Sequence, residues 1–174
     1  MSPVKAVFAA IALAALAAPV LAADPADPVR ELLKAADHNN QPDVSAYEDY
    51  FSDDRLGRLY SKGFVAIYRA AWKAQDSDNN SGYLLDADPI TAAQDGCPFK
   101  NLAIAPPQSE NGKSVVEARF QSLYCLGDDY KNTVTTVRFQ LVEQDGAFVI
   151  DDIQQIEDGK LGYSLKSNLE ALAK

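Results

Sequence analysis

The chain has 174 residues, with 16 Lys or Arg against 25 Asp or Glu, two cysteines and one histidine. Its formal net charge of −9 leaves no basic surface of the size that phosphate backbones or anionic lipid require, which argues against nucleic acid and membrane as partners. One His and two Cys are too few for a His/Cys metal cluster or a Cys–His pair, and no metal or other cofactor is expected.

Residues 1–22 read as a secretory signal peptide. Lys5 supplies the positive start, residues 7–16 form an apolar run too short to span a bilayer, and Val20-Leu21-Ala22 puts acceptable residues at the −3 and −1 positions. Cleavage is expected before Ala23, with Asp24 as the alternative first residue. No Cys follows the cleavage point and no second long apolar run follows it, so no stable membrane anchor is expected and the mature chain belongs in the periplasm or outside the cell. Removing Lys5 leaves 15 basic residues against 25 acidic ones, a net charge of −10.

Residues 23–28 form a Pro- and Asp-rich leader expected to be poorly ordered, and residues 29–174 form a single domain. Asp27-Pro28 has the pattern of an N-cap followed by Pro at the first helical position. Val29, Leu32, Leu33 and Ala36 then recur at helical spacing up to Asn39-Asn40, where Gln41-Pro42-Asp43 breaks the helix. A second short helical piece is expected at 47–51. Ser52-Asp53-Asp54 caps the longest helix, whose apolar positions Leu56, Leu59, Tyr60, Phe64, Ile67, Tyr68, Ala71 and Trp72 step by three and four. This aromatic stripe reads as core. Residues 76–82 place Asp76, Asp78 and Asn80 at the first three ligand positions of a calcium loop, but Ser81 stands where Gly is needed and Ala87 where Glu is needed, so a solvated turn is expected.

The period changes from 3.6 to 2 beyond the polar segment from Asp86 to Cys97. Strands are expected at 99–105, 114–125, 133–143 and 147–156, with turns at 109–112, 127–129 and 145–146 and a final helix at 163–172 capped by Ser164. Helices first, then a meander of about four antiparallel strands, then a terminal helix make an α+β domain with helices packed on a curved sheet. In an oxidising compartment Cys97 and Cys125 predict an intramolecular disulfide, against the alternatives of a free buried pair or an intermolecular bridge.

Phosphate loops and nucleophile elbows are missing, and His38 beside Asp37 reads as a solvated residue at a helix end. What remains is polar. Strand parity puts Val116, Ala118, Phe120 and Tyr124 on one face with Glu117, Arg119 and Gln121 opposite, and Val137, Phe139 and Leu141 on one face with Thr136, Arg138 and Gln140 opposite. Asp151 and Asp152 should offer one carboxylate to each face, one of them to Arg138 or Arg119, and Asp86, Asp88, Gln94 and Asp95 should supply the remaining partners. Such a cluster serves either a proton-transfer or ligand site or a buried structural network, and the network is the favoured reading.

The aromatic-rich helix pair, the segment Asp86-Ala-Asp-Pro-Ile-Thr-Ala-Ala-Gln-Asp95 and the late strand Phe148-Val-Ile-Asp-Asp-Ile153 resemble a group of bacterial periplasmic or lipoprotein domains of unknown function with an NTF2-like, cystatin-like α+β cone. The resemblance implies helices on a curved sheet with an open mouth. Phe148 stands where such domains often carry Trp, and the lipobox is missing. No activity follows from the fold. The expectation for function is an exported binding or interaction domain that meets a protein or a small ligand, with an inhibitor or immunity-type protein as its concrete form. The alternatives are a small enzyme using Asp95 or Asp151 as general base with Tyr83 or Tyr124 as donor, and a structural accessory domain.

Overall fold

The computed structural model describes residues 23–77 and 84–174. The signal peptide and residues 78–83, including Tyr83 and most of the calcium-like segment, lie outside the described residues. Four helices, α1 Asp27–Asn39, α2 Asp53–Arg58, α3 Lys62–Ser77 and α4 Leu165–Leu172, accompany six strands. These are β1 Lys100–Ile104, β2 Gln108–Glu110, β3 Lys113–Gln121, β4 Thr135–Gln144, β5 Ala147–Glu157 and β6 Lys160–Ser164. The sheet is antiparallel in the order β1-β3-β4-β5-β6, with β2 also paired to β3. An α+β domain with an open antiparallel sheet is therefore observed, with six strands where about four were expected.

The extra strands come from turns that the sequence carries in plain view. Asn111-Gly112, Asp145-Gly146 and Asp158-Gly159 all hold positive φ at both residues, the conformation that closes two-residue hairpins and favours Asn or Asp followed by Gly. Asp158-Gly159 folds β6 back on β5 and occupies residues that a helix-only reading of the tail leaves unassigned. Ser164 still caps the last helix, its hydroxyl accepting from the Ser167 N–H. Between β3 and β4 the connection is longer than a hairpin: the strands stop at Gln121 and restart at Thr135, with a single 3-10 turn at Asp128–Tyr130.

The expected helix over 52–72 is two helices, and the piece at 47–51 is a turn with no helix. Ser52 caps α2 as anticipated, accepting from the Arg55 N–H. The break lies at Leu59–Ser61, where the Ile150 N–H donates to the Leu59 carbonyl at 2.7 Å and the Ser61 N–H to the Ile150 carbonyl at 2.9 Å. Tyr60 thus pairs in parallel with Ile150. Strand β6 pairs β5 only from Gln154 onward, so this segment takes up backbone groups of β5 that would otherwise be orphaned. Ser61 then caps α3, accepting from the Phe64 N–H at 3.0 Å. At the N-terminus the helix begins one residue earlier than expected: Ala26 is the cap, and the Asp24 carboxylate accepts the Ala26 N–H.

One core joins these elements. Val29, Leu32, Leu33 and Ala36 of α1, Phe64 and Ala71 of α3, and Leu165 and Leu169 of α4 bury with Val116, Ala118 and Phe120 of β3, Val137, Phe139 and Leu141 of β4, and Ile150 and Ile153 of β5. The parity reading of β3 and β4 holds, since Val116 stands opposite Phe139 and Ala118 opposite Val137. Tyr124 lies past the end of β3 and does not share that face. The disulfide Cys97–Cys125, with Cα atoms 6.1 Å apart, joins the polar segment to the exit of β3, and the Cys97 N–H donates to the Ser122 carbonyl at 2.7 Å. No helix among the described residues is long and apolar enough to cross a membrane.

Candidate functional site

The eight polar residues singled out from the sequence separate into two groups. Asp86, Asp88, Gln94 and Asp95 stay on the loop between α3 and β1. Arg119, Arg138, Asp151 and Asp152 stand on the sheet, and neither aspartate meets an arginine.

A β-bulge decides the sheet group. Gln140 pairs with Asp152 and Leu141 with Ile150, leaving Asp151 as the extra residue of β5. Two residues opposing one bring both side chains to the partner's face, so the carboxylates are not split between faces. Asp151 accepts from the Ser61 hydroxyl at 2.7 Å, Lys113 Nζ at 2.9 Å and Lys166 Nζ at 2.8 Å. Asp152 accepts from the Lys166 N–H at 2.9 Å, and from the Ser164 hydroxyl and Gln154 Nε2 at 2.8 Å each. Lys166 therefore ties both carboxylates to the start of α4. Burial alone would raise the Asp151 carboxyl, but the hydrogen bonds from Lys113, Lys166 and Ser61 outweigh it and hold the group at about 2. Arg138 pairs instead with Glu110 at 3.3 Å and with Glu117, its register partner on β3, at 3.7 Å. Arg119 is exposed and makes no ion pair among the described residues. The sheet group is a network that fastens β5 to α3 and α4.

In the loop group Asp88 is the organiser. Its Oδ1 accepts from the Ile90 N–H at 2.7 Å and the Thr91 N–H at 2.8 Å, while Oδ2 accepts from the Tyr50 hydroxyl at 2.6 Å. Ala92 takes a positive φ of 58°, and Gln155 of β5 donates to the Pro89 carbonyl at 2.7 Å. Gln94 donates to the Asp86 carbonyl at 3.1 Å. A Cβ at Gly96 would lie 2.0 Å from Asn40 Oδ1, so a side chain there would displace the Asn40 amide that donates to the Ala36 carbonyl. Asp86 and Asp95 are exposed and their carboxylates make no ion pair among the described residues.

Two clefts flank residues 84–89. The larger, about 710 Å³, is lined by Gln75, Glu157, Tyr163, Asn168, Leu172 and Lys174 among others, a mixed set. The smaller, about 430 Å³, is bordered by Tyr47, Tyr50, Phe51, Tyr68 and Trp72 and by Asp49, Asp86, Asp88 and Asp95, and no Lys or Arg is in its lining among the described residues. The segment that carries Tyr47 and Tyr50 is irregular but docked. Asn39 exchanges side-chain hydrogen bonds with both backbone groups of Glu48, at 2.9 and 2.7 Å. Arg55 donates to the Asp49 carbonyl at 2.8 Å and to the Glu48 carboxylate. His38 is exposed at the end of α1, as expected, with its Nε2 3.1 Å from the Ala46 carbonyl oxygen.

The chain matches no protein-family model, no curated protein and no solved structure at a significant level. Geometry alone carries the site.

Sequence reasoning missed the aromatic half of it. Tyr60 and Phe64 are buried as expected of a core stripe, but Tyr68 and Trp72 at its far end are half-exposed and border the smaller cleft. The cleft signal was the pairing of Tyr47-Glu-Asp-Tyr50 with the aspartates at 86, 88 and 95, which only the fold brings together. Lys113, Lys166 and Ser61, the partners of Asp151, carry no local signal. Of the two tyrosines offered as donors for an enzyme, Tyr83 lies outside the described residues, and Tyr124 sits under the Lys100 ammonium, 3.5 Å from its ring centroid. Among the described residues no group of three His, Cys, Asp or Glu could hold a metal ion.

Proposed function

We propose that the mature chain is a periplasmic binding domain that engages a basic partner protein, in its concrete form an inhibitor or immunity-type protein against a cationic cell-envelope hydrolase or toxin. The observation that carries this reading is the smaller cleft, in which Asp49, Asp86 and Asp95 stand without an ion pair among the described residues and with no Lys or Arg in the lining. Elsewhere the Asp151 and Glu117 carboxylates are answered by cations, and Asp152 by the neutral donors of Gln154, Ser164 and the Lys166 backbone. Carboxylates left unanswered around a concavity attract a cationic surface, and with the net charge of −10 they speed its approach. The disulfide is compatible with export. We extend the reading to an NTF2-like cone; the support for it is that helices pack against one sheet and clefts open beside the loop between α3 and β1.

The general-base alternative finds no support at Asp151, whose oxygens are already engaged by three donors.

The test is calorimetric titration of the mature protein against a panel of basic peptidoglycan hydrolases of the lysozyme type, with lytic activity followed in parallel. Runs at about 0.01 M and about 0.15 M ionic strength span a Debye length of about 30 Å down to about 8 Å. Binding that inhibits lysis, weakens at least tenfold across that range and is lost in the double variant Asp86→Lys/Asp95→Lys is expected. Absence of binding at the lower ionic strength across the panel, or binding indifferent to the charge reversal, overturns the proposal.

A further inference from the structure

Resting on that reading, we infer that the smaller cleft is an aromatic cage for one cationic group, the alkylammonium or guanidinium that a Lys or Arg side chain of the partner presents. Two features converge on it. The first is the walls. Tyr47 and Tyr50 meet edge to face, with centroids 5.9 Å apart and planes at 60°, and Tyr68 meets Trp72 at 6.5 Å and 74°. Phe51 stacks on Tyr68 at 4.8 Å and joins the two pairs. Tyr47 is exposed and Tyr68 and Trp72 are half-exposed, with the buried Tyr50 and the stacked Phe51 behind them, so a cation in the cleft would meet the rings of Tyr47, Tyr68 and Trp72.

The second feature is charge. Asp88 is consumed by Tyr50 and two backbone N–H groups, but Asp49, Asp86 and Asp95 are not paired with any cation among the described residues. Beside these carboxylates the aromatic rings add π faces, and the two together suit an organic cation.

A volume of about 430 Å³ falls at the small end of the range for ligand pockets, roughly 300–1,000 Å³, and suits a side chain better than a folded surface. The larger cleft, with Lys174 and Glu157 in its lining, lacks this one-sided charge.

Trp72 is the only tryptophan in the chain and borders the cleft, so its emission reports occupancy without a label. The mature protein is titrated with n-butylammonium, n-butylguanidinium and the neutral isostere n-butanol. Saturable shifts with both cations, at least tenfold weaker response to n-butanol, and a roughly three- to tenfold loss of cation affinity in Tyr47→Leu and in Asp95→Asn are expected. Tyr47 is 64% exposed, with one ring contact to Tyr50, and Asp95 makes no ion pair among the described residues, so both variants should melt close to the parent. An equal response to n-butanol, or cation affinity unchanged in both variants, overturns the cage. Saturating butylammonium should also displace a bound basic hydrolase. If the cations bind but no hydrolase does, the cage stands and its source is a small organic cation, so the basic-protein reading fails. If a hydrolase binds parent and Tyr47→Leu alike, the reading stands and the cage fails.

Discussion

Replacing Asp151 by Asn tests whether the network on β5 holds the helices to the sheet. Asp151 is 7% exposed and receives two ammonium groups and a hydroxyl. Asn keeps the volume and one acceptor but removes the charge that both lysines answer. The carboxyl falls from an ordinary 3.8 to about 2 in the fold, a difference of roughly 1.8 units, or ~2.4 kcal/mol at about 1.36 kcal/mol per unit. Lys113 and Lys166 are partly exposed, at 38% and 24% of their side chains, so water screens the pairs and the expected loss is about 1–2 kcal/mol. For a domain of this size that lowers Tm by roughly 2–8 °C. Because the folded-state value lies below the unfolded one, Asp151 contributes stability above about pH 4 and loses it as the pH falls toward 2. Thermal melts by circular dichroism at steps from pH 7 down to pH 2 should show a gap between parent and variant that closes in the pH 4–2 window. Equal melting temperatures at pH 7, or a gap undiminished at pH 2, would refute the assignment of Asp151 as the paired anchor.

Asp88→Ala should cost about 2–4 kcal/mol in urea unfolding, since it strands the Tyr50 hydroxyl and frees two backbone N–H groups of the loop; a midpoint unchanged from the parent would show that the loop holds without it. The double variant Cys97→Ser/Cys125→Ser opens a closure of 28 residues in sequence and should lose about 3–4 kcal/mol, with reduction of the parent producing the same shift. Arg119→Ala, at an exposed position with no ion pair among the described residues, should stay within about 0.5 kcal/mol of the parent, whereas Arg138→Ala, which leaves Glu110 and Glu117 facing each other unanswered, should exceed it in the same assay.

Much of the architecture is written in local chemistry. The Ser52 and Ser164 caps, the break at Pro42, the alternation of β3 and β4 and the turns at Asn111-Gly112 and Asp145-Gly146 all depend on neighbours within a few residues, so pattern alone located them. Asp158-Gly159 belongs to the same class, and the strand it begins was legible by the same rule that found the turn at Asp145-Gly146. The split of the long helix was not. Residues 52–72 keep a helical period throughout, and what interrupts them is Ile150, some ninety residues away, whose backbone N–H and carbonyl claim Leu59 and Ser61. The bulge at Asp151 is of the same kind: strict alternation put one carboxylate on each face, and one inserted residue turned both toward Lys166.

The site divides along that line too. The sequence by itself determined that Asp86, Asp88, Gln94 and Asp95 form a polar loop and that Cys97 and Cys125 are there to be joined, because composition and spacing are properties of the chain. Which aspartates are answered by a cation, and which are left facing an aromatic corner, was decided by tertiary structure. Pairing depends on distances between residues far apart in sequence, and the docking of residues 44–51 onto α1 brings Tyr47 and Tyr50 to the aspartates.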